Sequence, residues 1–286
     1  RPGEGWSFGE PGNRGERDQG QSFRWLRLWL RLWLRLRVRL RAGWQGQKEE
    51  EITIMDWFKR KDKQYFSYDH DIHSHILPGL DDGVKRVEDS VVIVKKMLEL
   101  GVKRFSFTPH ISFPSPMNTP EMILGKLNEL KERLLKEGIE IEADAGAEYK
   151  IGEYMIDLIR QGNIASFHGG KVLVEHSFVA PSPVFEEVIF RLQDKGYTPV
   201  LAHPERYPFY MKHLTERVWE LKRRGCRVQV NLLAFTGFYG KEAMAGAREL
   251  LVARLIDHFS GDIHSVKQVE LLEKFLKSKE AEKLLI

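Results

Sequence analysis

The chain has 286 residues, of which 42% are hydrophobic and 30% are charged. These proportions are ordinary for a globular protein and exclude a chain disordered throughout, a collagen and a multi-span membrane protein. The single cysteine, Cys226, excludes a disulfide framework and a zinc site built on several thiolates, and it favours an intracellular, cytoplasmic protein.

The net charge of +4 belongs entirely to the N-terminal part of the chain. Residues 1–54 contain 11 basic and 7 acidic residues, whereas residues 55–286 contain 34 of each. The main part of the chain therefore shows no basic track, and we expect neither nucleic-acid binding nor nuclease activity from it.

Residues 1–54 form an arm of unusual composition. Residues 1–22 are rich in glycine and polar residues, which predicts disorder. Residues 25–36 repeat Trp-Leu-Arg-Leu three times, and the arginines exclude both a signal peptide and a membrane span. Two interpretations stay open. The arm either lies on an anionic membrane surface or is translated sequence upstream of Met55 that is not part of the native protein, which we favour.

From Tyr68 onward, short apolar runs alternate with segments of helical periodicity. Seven strands are predicted, at Tyr68–His73, Lys103–Thr108, Ile139–Ala145, Lys171–Glu175, Thr198–Ala202, Arg227–Asn231 and Ile256–Gly261. Seven helices are predicted, at Val87–Leu100, Pro120–Glu137, Glu153–Gln161, Pro183–Lys195, Thr215–Arg224, Lys241–Ala253 and Val266–Leu276. Repeated βα units require parallel strands. Seven units in residues 55–286 favour an α/β barrel, with a doubly wound open sheet as the alternative.

Metal-ligating side chains follow six of the seven predicted strands. In parallel α/β folds the carboxyl ends of the strands share one rim, where ligands bind. Five imidazoles and four carboxylates are expected there, namely those of His73, His75, Asp82, His110, Glu148, Glu175, His203, Asp262 and His264. This mixture suits manganese, iron or zinc. Nine ligands exceed the needs of one ion, so two or three ions are expected, an arrangement typical of phosphoryl transfer.

Other residues near this rim allow more than one interpretation. Arg206 can bind phosphate bidentately, or it can form a surface salt bridge with Glu205. The aromatic residues Phe235, Phe238 and Tyr239 follow the sixth strand, and they either line a substrate groove or pack within the loop. The remaining histidines are interpreted as structural or surface residues, namely His70, His168, His176, His213 and His258.

Four runs of residues resemble one family. The run from Asp71 to Gly83, Asp-Ile-His-Ser-His-Ile-Leu-Pro-Gly-Leu-Asp-Asp-Gly, resembles the opening motif of the polymerase-and-histidinol-phosphatase (PHP) superfamily. More narrowly, it resembles the bacterial manganese-dependent tyrosine-protein phosphatases of capsule and exopolysaccharide clusters. Residues 108–110, 202–207 and 262–264 fit the family pattern in order. The resemblance covers residues 68–275 and leaves the arm without a counterpart.

The resemblance implies a distorted seven-stranded (βα)7 barrel of the TIM-like PHP fold, with a trinuclear metal site. One metal would take His73, His75, Glu148 and Asp262. A second would share Glu148 and take Glu175 and His203, and a third would take Asp82, His110 and His264. Arg206 would hold the phosphate.

The leading hypothesis is a protein-tyrosine phosphatase in which a metal-bridging hydroxide attacks phosphorus directly. The resemblance implies a particular substrate, the tyrosine-rich tail of a membrane-bound polysaccharide-assembly kinase. A cysteine mechanism is not supported, because Leu232 rather than arginine stands six positions after Cys226. Another phosphomonoesterase, such as a histidinol-phosphate phosphatase, would use the same ligands. An inert barrel whose arm binds membranes or nucleic acid is the alternative outside enzymes.

Overall fold

The computed structural model describes residues 68–285, so the predicted arm at residues 1–54 lies outside the described residues. The strands in this part of the chain are β1 (His70–Asp71), β2 (Arg104–Phe107), β3 (His110–Ile111), β4 (Glu142–Ala145), β5 (Glu148–Lys150), β6 (Lys171–Glu175), β7 (Thr198–Ala202), β8 (Arg227–Asn231) and β9 (His258–Ser260). The α-helices are α1 (Val87–Glu99), α2 (Pro120–Leu135), α3 (Glu153–Gln161), α4 (Phe185–Asp194), α5 (Leu214–Arg223), α6 (Lys241–Val252), α7 (Val266–Leu276) and α8 (Lys279–Leu285).

All strand pairs in the two sheets are parallel, as the repeated βα pattern predicts. One sheet has the order β1-β2-β4 and the other has the order β3-β5-β6-β7-β8-β9. The structure therefore confirms an α/β fold with parallel strands, but its ladders form two sheets rather than one closed sheet.

The two sheets arise because the chain breaks the ladder after β2 and after β4, and a short strand follows each break. The chain leaves the ladder at Thr108 and Pro109, between β2 and β3, where proline has no N–H to donate. It leaves the ladder again at Gly146 and Ala147, between β4 and β5. A Cβ at position 146 would press against the Phe167 ring and the backbone there, so the close approach requires glycine. The predicted strands Lys103–Thr108 and Ile139–Ala145 correspond to β2 and β4, and the short segments β3 and β5 that follow them were not predicted.

Short backbone contacts join the first and last strand segments beyond the ends of β1 and β9. Ser74 and Ile263 form an isolated parallel bridge. The His75 amide donates to the Ile263 carbonyl at 2.9 Å, and the Asp262 amide donates to the His73 carbonyl at 2.9 Å. Two segments far apart in the sequence are thereby held side by side at the rim that carries the predicted ligands.

The helices cover the outer faces of the strands, and strands β6, β7 and β8 are buried over most of their length. This explains why their sequences are almost continuously apolar. A buried cluster between the strands contains Ile72, Phe167, Leu173, Val200 and Ala202. The seven predicted helices all occur, with ends shifted by up to two residues, and α8 was not predicted. Among residues 68–285, no helix is both long and apolar enough to cross a membrane.

Candidate metal centre

The structure brings together all nine side chains that the sequence suggested as metal ligands. They form four overlapping groups, and within each group one ligand atom per residue lies within 4.8 Å of the others. The groups are His75, Asp82, His110 and His264; His73, His75 and Asp262; His73, Glu148 and His203; and His110, Glu148 and Glu175. Six of the nine follow or end a strand, His110 and Glu148 begin the short strands β3 and β5, and Asp82 lies in the loop between β1 and α1.

The carboxylate of Glu148 lies at the centre of these groups. Its Oε2 atom is 3.1 Å from His73 Nε2, 3.2 Å from His75 Nε2 and 3.2 Å from His110 Nδ1. Its Oε1 atom is 3.0 Å from His203 Nε2. Glu148 begins β5, directly after the interruption at Gly146 and Ala147, so the break in the strand places this carboxylate among the histidines.

Two aspartates complete opposite sides of the centre. The Oδ1 atom of Asp262 is 3.4 Å from the Nε2 atoms of both His73 and His75. The side chain of Asp82 is 73% exposed, and its Oδ1 atom lies 3.7 Å from His110 Nε2 and 3.6 Å from His264 Nε2. Asp82 therefore closes the solvent side of the centre, while Asp262 is buried beneath it.

The local backbone at the centre is strained. Asp262 and His203 have φ angles of 51° and 33°, a left-handed conformation that costs non-glycine residues about 1–3 kcal/mol. Gly83 lies so close to the His75 carbonyl that a Cβ would collide with it. The turn containing Asp81 and Asp82 can approach the histidines only because glycine stands at position 83.

The Nδ1 atoms of three histidines face hydrogen-bond acceptors. His75 Nδ1 is 2.7 Å from Asp81 Oδ2, His73 Nδ1 is 2.9 Å from Gln229 Oε1, and His264 Nδ1 is 3.0 Å from the Asp262 carbonyl. An acceptor at Nδ1 keeps a proton there, so Nε2 is the nitrogen that loses its proton when a metal ion binds. The Nε2 atoms of His73 and His75 are 3.2 Å apart and both lie near carboxylate oxygens.

The pKa values of Glu148 and Glu175 are shifted in opposite directions. Burial acts to raise the pKa of Glu148, but the imidazoles of His73 and His110 outweigh it and hold that pKa well below its usual range. Burial, followed by the charge of Glu148, raises the pKa of Glu175 well above its usual range. In a dry, crowded site, two neighbouring carboxylates both remain ionised only when a cation lies between them.

These observations together fit a metal site. The Nε2 atoms of His73, His75 and His203 converge on the Glu148 carboxylate, and the buried Nδ1 atom of His110 lies 3.2 Å from Glu148 Oε2 without forming a hydrogen bond. Imidazoles anchored through their second nitrogen and combined with carboxylates are the ligand set of transition-metal centres. Cations would neutralise the repulsion between these acceptors.

Arg206 lies beside the centre, in the short 3-10 turn Pro204–Arg206 that follows β7. Its NH1 atom donates to Asp262 Oδ2 at 2.8 Å, and its side chain is 21% exposed. The considered salt bridge with Glu205 does not form, because Glu205 is buried and accepts a hydrogen bond from the Asn231 amide at 2.9 Å. Arg206 is thus positioned to reach a ligand at the centre.

Several residues of the site were not predicted to take part in it. Gln229 and Asn231 were not among the predicted site residues, yet they hydrogen-bond to His73 and Asp262. Nothing in the sequence indicated that Asp81, the neighbour of the proposed ligand Asp82, orients His75. The alternation of Gln229 and Asn231 along one strand face was the signal available in the sequence.

The aromatic residues after β8 were expected either to line a substrate groove or to pack within the loop, and they differ in their surroundings. Phe235 is buried and packs near Phe259 and Phe275. The hydroxyl of Tyr239 donates to Asp262 Oδ2 at 3.2 Å, so Tyr239 belongs to the site. Phe238 is half-exposed and packs edge-on against Tyr239.

The histidines interpreted as structural lie outside the four groups. His70 Nε2 is 2.9 Å from Ser106 Oγ, and His176 Nε2 is 3.0 Å from Tyr210 Oη. Each of these two imidazoles therefore has a partner in the scaffold.

Comparison with known proteins relates this chain to a group of bacterial phosphatases. The family described as "Capsular polysaccharide synthesis, CpsB/CapC" matches residues 69–273. Tyrosine-protein phosphatase YwqE of Bacillus subtilis (strain 168) is 32% identical over 204 residues, covering 69% of this chain and 78% of that protein. Putative tyrosine-protein phosphatase CapC of Staphylococcus aureus is 26% identical over 197 residues, covering 68% and 77%.

A solved structure extends the comparison to three dimensions. It comes from a crystallographic description of YwqE from Bacillus subtilis and CpsB from Streptococcus pneumoniae as unique metal-dependent tyrosine phosphatases. Its TM-score with this chain is 0.64 at 29% sequence identity, and the match covers 76% of this chain and 94% of that one.

Proposed function

Because the chain belongs to the CpsB/CapC family of capsular polysaccharide synthesis, we propose that it is a metal-dependent protein-tyrosine phosphatase, a phosphoric monoester hydrolase. The observation that carries this proposal is the convergence of nine histidine and carboxylate side chains beside Arg206. The relatives named tyrosine-protein phosphatases favour this function over the alternative of a histidinol-phosphate phosphatase.

The nine side chains divide naturally among up to three ions. The proposed sets are His73, His75, Glu148 and Asp262; Glu148, Glu175 and His203; and Asp82, His110 and His264. The central position of the Glu148 carboxylate, near three Nε2 atoms and His110 Nδ1, supports its role as a shared ligand. The closeness of His75 Nε2 to both Glu148 and Asp262 supports the first set.

We propose Mn²⁺ as the resident ion, with Fe or Zn as the other ions that this ligand set accommodates. When bound, such ions lower the pKa of coordinated water and neutralise phosphate oxygens. The protein supplies the orientation. Asp81 and Gln229 hold the imidazoles of His75 and His73, and the Arg206 guanidinium stabilises negative charge on the phosphate.

The single cysteine has no part in the proposed reaction. Cys226 is fully buried, and burial raises the pKa of its thiol to about 12, so the thiolate needed for nucleophilic attack does not form near neutral pH. We expect Cys226→Ser to retain phosphatase activity. Loss of turnover in a folded, metal-loaded Cys226→Ser protein would instead favour a thiol mechanism.

We also propose that the fold is the distorted seven-stranded βα barrel of the PHP superfamily. The parallel bridge between Ser74 and Ile263 supports closure between the first and last strand segments. The interruptions at Pro109 and Ala147 account for the separation of the ladders into two sheets.

The proposed substrate is a phosphotyrosine protein, and specifically a membrane-bound tyrosine kinase of polysaccharide assembly. Membership of a capsular polysaccharide synthesis family supports this partner. Tyrosine phosphorylation draws on ATP, so the proposal places the enzyme in the cytoplasm.

The test is hydrolysis of a phosphotyrosine peptide by the full chain with Mn²⁺, after chelation, and after Mn²⁺ is restored. We expect turnover to disappear and return. The kcat/KM for the peptide should exceed that for histidinol phosphate. Full turnover after the metals are shown to be gone would overturn the mechanism, and a preference for histidinol phosphate would overturn the substrate.

A further inference from the structure

An exposed aromatic side chain borders the phosphate-binding side of the centre. Phe178 lies in the loop between β6 and α4 and is 42% exposed, and the adjacent Val179 is 90% exposed. This apolar surface begins three residues after Glu175, the last residue of β6. An exposed phenyl group at such a place has no role in the hydrophobic core.

Phe178 is nevertheless fixed by its neighbours. The guanidinium carbon of Arg206 lies 4.7 Å from the centre of the Phe178 ring and 4.1 Å from that of Tyr239. The Phe178 ring also stacks near His203, with ring centres 5.7 Å apart and planes 20° apart. Cation–π and ring contacts therefore hold Phe178 against the residue that faces the phosphate.

The chemistry of the substrate determines what an aromatic border can recognise. In phosphotyrosine the phenyl ring begins one oxygen away from phosphorus, so a phosphate held by Arg206 brings that ring next to the rings beside Arg206. An alkyl phosphomonoester has no flat group at this point. Offset or edge-on contact between aromatic rings contributes about 0.5–1.5 kcal/mol beyond the area buried, and a saturated chain gains none of it.

We infer that Phe178 forms the subsite for the phenyl ring of the substrate and sets the preference for aryl over alkyl phosphomonoesters. This inference rests on the proposed phosphatase function. It assigns a specificity-determining role to a loop side chain that binds no metal and no phosphate oxygen.

The experiment measures the binding of two non-hydrolysable probes, benzylphosphonate and ethylphosphonate, to the full chain loaded with Mn²⁺; in both, a methylene replaces the ester oxygen. Calorimetry gives the ratio of the two dissociation constants. We expect the wild type to bind benzylphosphonate about tenfold more tightly than ethylphosphonate, and Phe178→Ala to bring this ratio close to one. Phe178→Trp should restore the preference, because it restores an aromatic face.

Phe190→Ala is the control, because Phe190 on α4 is also an exposed phenylalanine, at 67% against 42% for Phe178, and among the described residues its ring makes no cation–π contact with Arg206. Its ratio should equal that of the wild type. Metal content is measured for every variant, since Phe178 also packs near His203.

Two different failures can be told apart. If Phe178→Ala weakens both phosphonates by the same factor, or leaves the ratio unchanged, the inference is overturned while the proposed function stands. If the wild type hydrolyses no phosphotyrosine peptide, the proposed function itself fails.

Discussion

Two side chains of β8 connect opposite parts of the metal centre without being proposed as ligands. His73 Nδ1 lies 2.9 Å from Gln229 Oε1, and Gln229 Nε2 donates to Asn231 Oδ1 at 2.8 Å. Asn231 Nδ2 in turn donates to Asp262 Oδ2 at 2.7 Å. This series of hydrogen bonds orients a histidine from the first strand segment and an aspartate from the last.

We therefore expect Gln229→Leu to lower the affinity for Mn²⁺ by about 10–100-fold, because His73 Nδ1 loses its acceptor. Competition with a fluorescent chelator measures this affinity. Gln193→Leu is the control, since the Gln193 side chain bonds the Arg224 carbonyl on the outer surface. Equal affinities in the two variants would contradict the orienting role of Gln229.

A histidine at the far ends of the strands makes stability depend on pH. Burial lowers the pKa of His258 to about 4; the Asp257 charge opposes this shift, and Lys171, Arg227 and Lys222 reinforce it. In the unfolded chain the pKa is about 6.5, so the unfolded state binds more protons between these values. The free energy of unfolding should fall as the pH decreases from about 6.5 to about 4, by at most about 3 kcal/mol from this residue.

Urea unfolding of the wild type and His258→Gln at pH 7, 5.5 and 4.5 tests this expectation. The variant should lose less stability than the wild type over the same pH range. Parallel losses would show that His258 is not the source.

At the scale of single residues, the sequence predicts which side chains meet but not how they are oriented. The position of each histidine and carboxylate after a strand is a one-dimensional signal, because parallel strands bring their carboxyl ends to one rim. The separate roles of Asp81 and Asp82 depend on the turn at Gly83, and the partner of Arg206 depends on the position of Asp262. Both are consequences of tertiary packing.

At the scale of elements, the start of helix α2 is marked in the sequence by a capping threonine and a proline, and the structure shows the cap. Thr119 precedes Pro120, the first helical residue, and Thr119 Oγ1 accepts a hydrogen bond from the Met122 amide at 3.3 Å. Threonine followed by proline is typical of a helix start. The threonine hydroxyl accepts a hydrogen bond from one of the unpaired N–H groups, and proline has no N–H to leave unpaired.

Thr119→Ala should lower the free energy of unfolding by about 1 kcal/mol, because the helix loses this cap. Thr119→Ser should retain most of the stability. Ser265→Ala provides a comparison at the start of α7, where the Ser265 side chain makes no capping hydrogen bond, so its cost should be smaller. Equal losses at both positions, measured by denaturant unfolding, would contradict the capping role of Thr119.

The strands show where local patterns stop being informative. Strands β6, β7 and β8 have the predicted bounds, because uninterrupted apolar runs are typical of strands buried on both faces. The strand segments β3 and β5, which follow the breaks at Pro109 and Gly146, were not predicted. Whether a strand ends at a proline or glycine or resumes after it depends on the neighbouring strand and, at Gly146, on the packing of Phe167.

At the scale of the whole molecule, the proposed ligands come from strand segments spread across the described chain. Order of elements and parallel pairing could be predicted from the βα repeat. The division into two sheets could not, because it results from two local breaks. A cation held by several of these segments would bind the folded state far better than the unfolded chain.

Mn²⁺ at about 100 times its dissociation constant should therefore stabilise the fold by about 2.7 kcal/mol, which raises Tm by about 5–10 °C for a domain of this size. Thermal unfolding with and without Mn²⁺ measures the shift. Asp262→Asn should reduce it, whereas Asp194→Asn on the exposed side of α4 should leave it unchanged. Identical shifts in both variants would argue against Asp262 as a ligand.

The pairing of the segment after β1 with the segment after β9 has a consequence for biosynthesis. His73 and His75 leave the ribosome well before Asp262 and His264, which lie almost two hundred residues later in the chain. A nascent chain that lacks them has neither the Ser74–Ile263 bridge nor the carboxylate facing His73 and His75. The complete centre can therefore form only after its last strand has been translated, so that metal loading distinguishes chains that extend past His264 from chains truncated before it.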